Sequence, residues 1–273
     1  MRGGKSMLAF DHLVHAVRCT PKEAERQMKE LGFHTVQGGE HTNWGTWNSL
    51  SYFDLSYIEF LAVRDEEQAK QADNPLVQET VEKLQNGEGM LQIALRTNRI
   101  EELATKFVEK GIQVKGPFEG KRMRNDEHLI EWKMLFVEQE ESSPKLPFFI
   151  QWEECDTDRR RDLQQCGVIA PHRNDVKEMQ TIYYTVKNVC ETVERWKELL
   201  EVQVNSPQVY KEWNAICQSV FLGNVTIQFC EPIGEGIIQE QLEQNGEYPF
   251  AVELQGTHHL KSKKQVLGSV YIY

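Results

Sequence analysis

One order of local signals occurs three times along the chain, and that repetition limits the fold more than any other feature. Each copy opens with a strand-like run, at 10–17, 90–97 and 181–186. A polar residue with Glu three places on follows each run: Thr20 with Glu23, Asn98 with Glu101, Asn188 with Glu191. That spacing lets the first side chain accept from the backbone N–H of the third helical residue, so it predicts a helix start. Pro21 at the first helical position strengthens the first case. The helices read as amphipathic: Ile100, Leu103, Ala104, Phe107 and Val108 fall at helical spacing, as do Val189, Val193, Trp196 and Leu200. Gly32 and Gly111 mark the ends of the first two. Three strand-like stretches follow each helix, at 34–38, 46–53 and 57–63, then 114–119, 129–137 and 148–152, then 203–209, 215–222 and 225–230. Residues 247–273 read as a fourth copy without its helix, with 250–254 as its first strand and 266–273 as its last. A doubly wound fold would alternate single strands with single helices, and this chain does not.

The expected class is therefore α+β, with tandem βαβββ modules forming two curved, mostly antiparallel half-barrel sheets and helices on the outside. Residues 1–6 are basic and Gly-containing and are expected to be a tag remnant. Residues 7–155 are expected to form one domain of two modules. Residues 156–175, with an Arg run and Pro171, read as a linker, and 176–273 as a degenerate second domain of one full and one truncated module. The polar stretch 65–89 is expected to be a helical connector between the first two modules.

Composition narrows the function class. The 273 residues carry a formal net charge of -11, which disfavours nucleic acid or an anionic membrane surface as a partner. No apolar run is long enough for a membrane span. The six cysteines form no C-x-x-C pair and accompany no secretion signal, so a reducing cytoplasmic location is expected. The expected partner is a small-molecule ligand, and a homodimer is compatible with this reading.

Several polar residues sit where apolar ones would be expected. His12 shares its strand phase with Phe10 and Val14, so the three are expected on one side. Its imidazole reads either as a metal ligand or as a hydrogen-bonded core histidine. Glu59 interrupts the apolar run Tyr57-Ile58-Glu59-Phe60-Leu61, where an unpartnered carboxylate would be costly to bury. It reads as a site residue, or as an edge residue facing solvent or an Arg. His41 lies in a Gly38-Gly39-Glu40-His41 turn and reads as a ligand, an acid–base group or an exposed loop residue. Thr46 and Asn48 share one strand face, which suits a substrate contact; Trp44 and Trp47 read as cavity wall or plain core. Arg122 and Arg124, in a Gly120–Asp126 stretch, could hold a substrate carboxylate or phosphate or occupy a solvated hairpin turn. Arg159-Arg160-Arg161 reads as an exposed linker face and His258-His259 as a loop pair. Dinucleotide and phosphate loops, zinc-protease signatures and nucleophile elbows do not occur.

Phe10-Asp11-His12-Leu13-Val14, Gly38-Gly39-Glu40-His41, Gly45-Thr46-Trp47-Asn48, Tyr57-Ile58-Glu59-Phe60 and Leu146–Trp152 resemble, in that order, the signatures of glyoxalase-like proteins of the vicinal-oxygen-chelate superfamily. The resemblance covers roughly the first 150 residues. It implies a curved eight-stranded half-barrel built from two modules. In metal-dependent members the first and last strand of each module supply one ligand apiece. Carried onto this chain, the first-strand positions are His12 and Gln92, and the last-strand positions are Glu59 and Gln151. The resemblance thus implies His12 and Glu59 as ligands of a divalent ion (Zn, Ni, Mn or Fe), and Glu59 and His41 as catalytic groups. Asn48, Thr46, Arg122, Arg124, Gln92 and Gln151 are then substrate contacts. In the second half the corresponding positions are Thr181, Gln228, Ala251 and Tyr273, which make no credible metal site. The implied function is a metal-assisted isomerase or lyase acting on a small oxygen-rich molecule. The alternative is a protein of the same fold that binds or sequesters such a molecule without chemistry.

Overall fold

A computed structural model describes residues 8–124, 128–138, 145–257 and 262–273. Residues 1–6 and the His258-His259 pair lie outside the described residues. The strands of the first half are β1 (Ala9–Ala16), β2 (Val36–His41), β3 (Thr46–Phe53), β4 (Ser56–Val63), β5 (Gly89–Arg96), β6 (Val114–Met123), β7 (Leu129–Val137) and β8 (Phe148–Trp152). They form one sheet in the order β2-β3-β4-β1-β5-β8-β7-β6. Within each module the first and last strands are parallel, β1 with β4 and β5 with β8, and the two modules join through the antiparallel pair β1–β5. Helices α1 (Pro21–Glu30) and α4 (Ile100–Glu109) make the crossovers, as the repeat requires.

The second half repeats the plan with β9 (Val176–Thr185), β10 (Gln203–Val204), β11 (Gln208–Tyr210), β12 (Ala215–Leu222), β13 (Val225–Pro232), β14 (Pro249–Gly256), β15 (Lys263–Val266) and β16 (Ser269–Ile272). Their order is β10-β12-β13-β9-β14-β16-β15, with β11 also on β12. The third unit has its helix, α6 (Val189–Leu200), and no helix separates β14 from β15 among the described residues. The last stretch differs from the single strand expected over 266–273. Leu267 and Gly268 both take positive φ, and the chain folds back there as the β15–β16 hairpin.

The helix starts differ in how their first N–H group is satisfied. Thr20 and Asn188 accept from Glu23 N and Glu191 N, as the spacing predicts. Asn98 does not cap α4; the helix begins after Arg99, which makes no side-chain cap. Instead Gln151 Oε1 accepts from Ile100 N at 2.8 Å, and in the third unit Glu231 Oε2 accepts from Val189 N at 2.8 Å. In the first unit that helix position is Pro21, which has no N–H to satisfy. Gln151 thus does a structural task on the helix side of its strand.

The segments read as connectors are structured. Residues 65–89 form α2 (Glu66–Gln71) and α3 (Pro75–Asn86), and 156–165 form α5 (Asp156–Gln165). One apolar core joins both halves, from Leu13, Phe107 and Phe149 to Trp196, Phe229 and Tyr271. Where the fourth unit has no helix, the first unit covers its sheet: Phe33 packs on Tyr271 and Tyr273, and His15 stacks on Tyr271. His15 Nε2 donates to Leu267 O at 2.6 Å, so Nδ1 accepts from the Tyr271 hydroxyl at 2.8 Å. Burial pushes His15 down to about 4, with the Leu267 carbonyl opposing that shift.

Two outcomes follow from these contacts. The His15 pKa is lowered from 6.5 on folding, so above pH 6.5 neither state binds its proton, and below it the unfolded chain binds one that the native chain refuses. Stability should fall as pH drops from 6.5 towards 4, by an amount on the order of 3 kcal/mol for this residue. Urea titrations across that window should show a shallower slope in His15→Gln; an unchanged slope would assign the acid sensitivity elsewhere. Gln151→Ala removes the acceptor of Ile100 N and should lower unfolding free energy by about 1 kcal/mol, measured by the same titrations.

Candidate functional site

The placement of the site begins with an irregularity in the central strand pair. Between Phe10 and His12 the β1–β5 register slips, leaving Asp11 as an extra residue. The bulge breaks the alternation that would have put Phe10 and His12 on one side. Phe10 packs with Leu13 in the core between the halves, whereas His12 lines a cavity on the concave face. Asp11 and His12, though adjacent in sequence, are joined by a hydrogen bond from His12 Nδ1 to Asp11 Oδ1 at 2.7 Å. Trp152 Nε1 donates to the other Asp11 oxygen at 3.0 Å. Burial alone would raise the Asp11 pKa, but the His12 bond and the nearby Arg159, His12 and Arg96 charges outweigh it and hold it below the usual value. An ionised Asp11 accepts from His12 Nδ1 and holds the ring with Nε2 facing inward.

His12 Nε2 lies 3.6 Å from Glu59 Oε2. Asn48 Nδ2 donates to Glu59 Oε1 at 2.5 Å and reaches His41 Nε2 at 3.4 Å, and His41 Nδ1 contacts Thr46 Oγ1 at 2.9 Å. Arg122 Nη1 approaches Asn48 Oδ1 at 3.5 Å. His12, Glu59, His41, Thr46, Asn48 and Arg122 are all buried and line one cavity with about 40 Å³ of free volume. Its walls include Trp44, Trp132, Trp152 and Ile150, and α3 closes it with Asn74, Leu76 and Val77. Burial pushes His41 down to about 4, with Glu59 opposing and Arg122 reinforcing that shift, so the ring is neutral. Gly38 and Gly39 lie within β2 rather than in a turn, and His41 is its last residue. A Cβ at Gly38 would overlap Asn48 Oδ1 and Arg122 Nη1, so this glycine makes room for both side chains.

Three expected contacts lie elsewhere. Arg124 pairs with Asp162 at 2.6 Å on α5 and does not line the cavity. Gln92 follows the matching bulge in β5, but its Nε2 donates to Leu146 O at 3.1 Å and it is not a lining residue. Gln151 caps α4, as described above. The register shows why it was misplaced. Val14 lies opposite Glu59 in the first module, and Ala94 lies opposite Phe148 in the second. Phe148 therefore holds the fourth position, edge-on to the His12 ring with centroids 5.4 Å apart. In the second half the same reasoning keeps Thr181, Gln228 and Ala251 and replaces Tyr273 by Ile272.

A four-ligand metal centre therefore does not fit this donor set. His12 Nε2 and Glu59 are two suitable donors, backed by Asp11 and Asn48, but Phe148 offers none and Gln92 is engaged by a backbone carbonyl. Among the described residues, the one cluster of three metal-capable side chains is His128, Glu154 and Asp162; it is largely exposed, and Asp162 already pairs with Arg124. A wider groove of about 870 Å³ along α1 is an open, charged trough lined by residues such as Glu25, Arg26 and Lys29.

Sequence reasoning missed two contributors. Asp11 was legible only as part of a motif, since a bulge has no local sequence mark here. Arg159, read as exposed, is buried on α5 against the Trp152 ring, its Cζ 4.0 Å from the ring centroid.

A family model described as a glyoxalase-like domain matches residues 10–200. The chain belongs to the glyoxalase-like family. The match runs through α5 and α6, beyond the motifs of the first 150 residues. A hypothetical protein from Staphylococcus aureus shares the fold over 97% of this chain and 98% of its own, with TM-score 0.77 and 23% identity. A mutant 4-hydroxymandelate synthase from Streptomyces coelicolor aligns over 90% of this chain and 70% of its own, with TM-score 0.58 and 9% identity. No curated protein sequence matches the chain. These similarities establish the glyoxalase-like fold; the chemistry rests on the residues in the cavity. No described helix is long and apolar enough to cross a membrane.

Gly38→Ala should displace Asn48 and Arg122 and so free Glu59 from its amide partner. Crystallography of the variant should show the Asn48–Glu59 bond broken with the sheet order retained. An intact bond would mean that the neighbours can yield without cost to the site.

Proposed function

We propose that the N-terminal cavity binds a small oxygen-rich molecule and moves a proton on it, which makes the chain an isomerase or lyase. The observation that carries this reading is the convergence of His12 Nε2 and Glu59 Oε2, 3.6 Å apart, in a buried cavity with each group oriented from behind. Glu59 Oε2 takes a proton from the carbon beside a substrate carbonyl. Protonated His12 gives its Nε2 proton to the carbonyl oxygen, and Asp11 stabilises the imidazolium. Arg122 places positive charge near the oxygen that gains electron density. Glu59 returning its proton to a different face or a different carbon, while the enol hydroxyl gives its proton back to His12, completes an isomerisation. Expulsion from the next carbon of a leaving group, which takes the proton from Glu59 while the enol hydroxyl gives its proton back to His12, instead completes an elimination. Asn48 and Thr46 hold Glu59 and His41 in place and can turn towards substrate oxygens.

A divalent ion (Zn, Ni, Mn or Fe) would find His12 and Glu59 as its protein donors, and the other two positions, Gln92 and Phe148, do not complete a ligand set. We read residues 7–155 as the ligand-bearing domain and 176–273 as its structural support. A second reading, binding without chemistry, is favoured by the aromatic and apolar lining around a few convergent polar groups.

Two measurements separate these readings. In D2O, NMR of small α-hydroxy-carbonyl compounds should show exchange at the carbon beside the carbonyl, slowed at least about 100-fold in His12→Gln and Glu59→Gln. Binding without exchange would select the sequestering reading. Dialysis against EDTA should leave exchange unchanged; loss restored by added zinc would place a metal in the reaction.

A further inference from the structure

Beside the cavity lies a second pocket of about 230 Å³, lined by Tyr52, Arg159, Leu163 and Ile130 and sharing Arg122 and Trp152 with it. Arg159 is 4% exposed, and neither Nη1 nor Nη2 makes a well-formed hydrogen bond among the described residues, the Tyr52 hydroxyl being the polar group that interacts with the guanidinium. Its nearest carboxylate oxygen is Asp11 Oδ2 at 3.7 Å, beyond hydrogen-bond reach, and that oxygen already accepts from Trp152. A guanidinium stripped of water is costly unless its donors are used. Cation–π contact with Trp152 offsets part of that cost but satisfies no N–H group. Tyr52 is buried beside it, and both Arg159 and Arg122 act on the phenol to oppose the upward push of burial on its pKa.

Resting on the proton-transfer reading above, we infer that this pocket takes a carboxylate of the substrate, which makes the substrate class a small carboxylic acid. Arg159 presents two N–H-bearing nitrogens without a well-formed hydrogen bond, in the planar fork that a carboxylate matches. Arg122 adds a second charge at the junction, so a molecule anchored at Arg159 extends past Trp152 and Arg122 towards His12 and Glu59. The other charged groups facing the pocket are Glu131, Glu153, Glu154, Asp162 and His128. Their acidic rim disfavours a dianion more than a monoanion, which selects a carboxylate over a phosphate. Chain topology brings the two arginines together: Arg122 comes from β6 and Arg159 from α5, the helix that follows β8.

Calorimetry of the full chain with benzoate, benzamide and inorganic phosphate tests this. Benzoate should bind at least about tenfold more tightly than benzamide, its uncharged isostere, and phosphate more weakly than benzoate. Arg159→Gln should remove the preference for benzoate, while Arg161→Gln, at the surface of the same helix, should leave it intact. Equal affinity for benzoate and benzamide in the unaltered protein overturns the inference even if Arg159→Gln fails to fold, as does tighter binding of phosphate. Preference for benzoate without proton exchange on any hydroxy-carbonyl acid would keep the carboxylate subsite and reject the proton-transfer reading; exchange on neutral substrates with no preference for benzoate would do the reverse.

Discussion

The site depends on one extra residue in one strand. Regular alternation along β1 would send Asp11 and His12 to opposite faces of the sheet. The bulge lets the carboxylate and imidazole meet side by side, with Asp11 fully buried. A buried carboxylate needs several donors or cations to stay ionised. Asp11 has His12, Trp152 and the charges of Arg159 and Arg96 around it. Those partners come from β1, β8, α5 and β5, so a correct assembly of both modules is the condition for the orientation of the His12 ring. The bulge in β5, at Leu91, shows that the irregularity belongs to the module and not to the site alone.

Repetition of the module in one sheet offers four strand positions for polar groups. This chain uses two of them. Phe148 in the fourth position brings an aromatic edge against His12, and Tyr57 stacks on the other side of the same ring at 4.5 Å. The imidazole is thus held between aromatic partners rather than among further ligands. An environment of that kind restricts rotation of the ring and limits the access of water to it.

Much of the fold was legible because its signals are periodic. The three helices, their alternation with strand triplets and the truncated fourth unit follow from apolar spacing and cap residues, and the sheets have those elements in the implied order. His12, Glu59, His41, Thr46, Asn48 and Arg122 were legible as polar residues on strand faces, and they meet in one cavity. What failed was register. Gln151 sits three residues from the position opposite Ala94, and a strand's phase reverses with every residue. Its polar side chain answered to a helix N–H that Pro21 lacks in the first module, a comparison available only once the modules are superposed. Asn98 failed as a cap because that same N–H already had an acceptor from another strand.

Arg159 failed for a different reason. Three consecutive arginines on a helix point in three directions, and charge counting cannot tell which one faces inward. Arg160 pairs with Asp54 at 2.6 Å and Arg161 pairs with Asp158, both at the surface. Arg159 and Arg160 both lie about one turn before Leu163, and Arg159, four residues before it, is the one buried with it. The spacing of that single apolar residue was the available signal, since a helix with one buried stripe must place the residue a turn before Leu163 under the protein. A segment that joins two halves can thereby supply the cation of a site formed within one of them. Its place in the chain identified it as a connection, while its packing makes it a wall of the pocket.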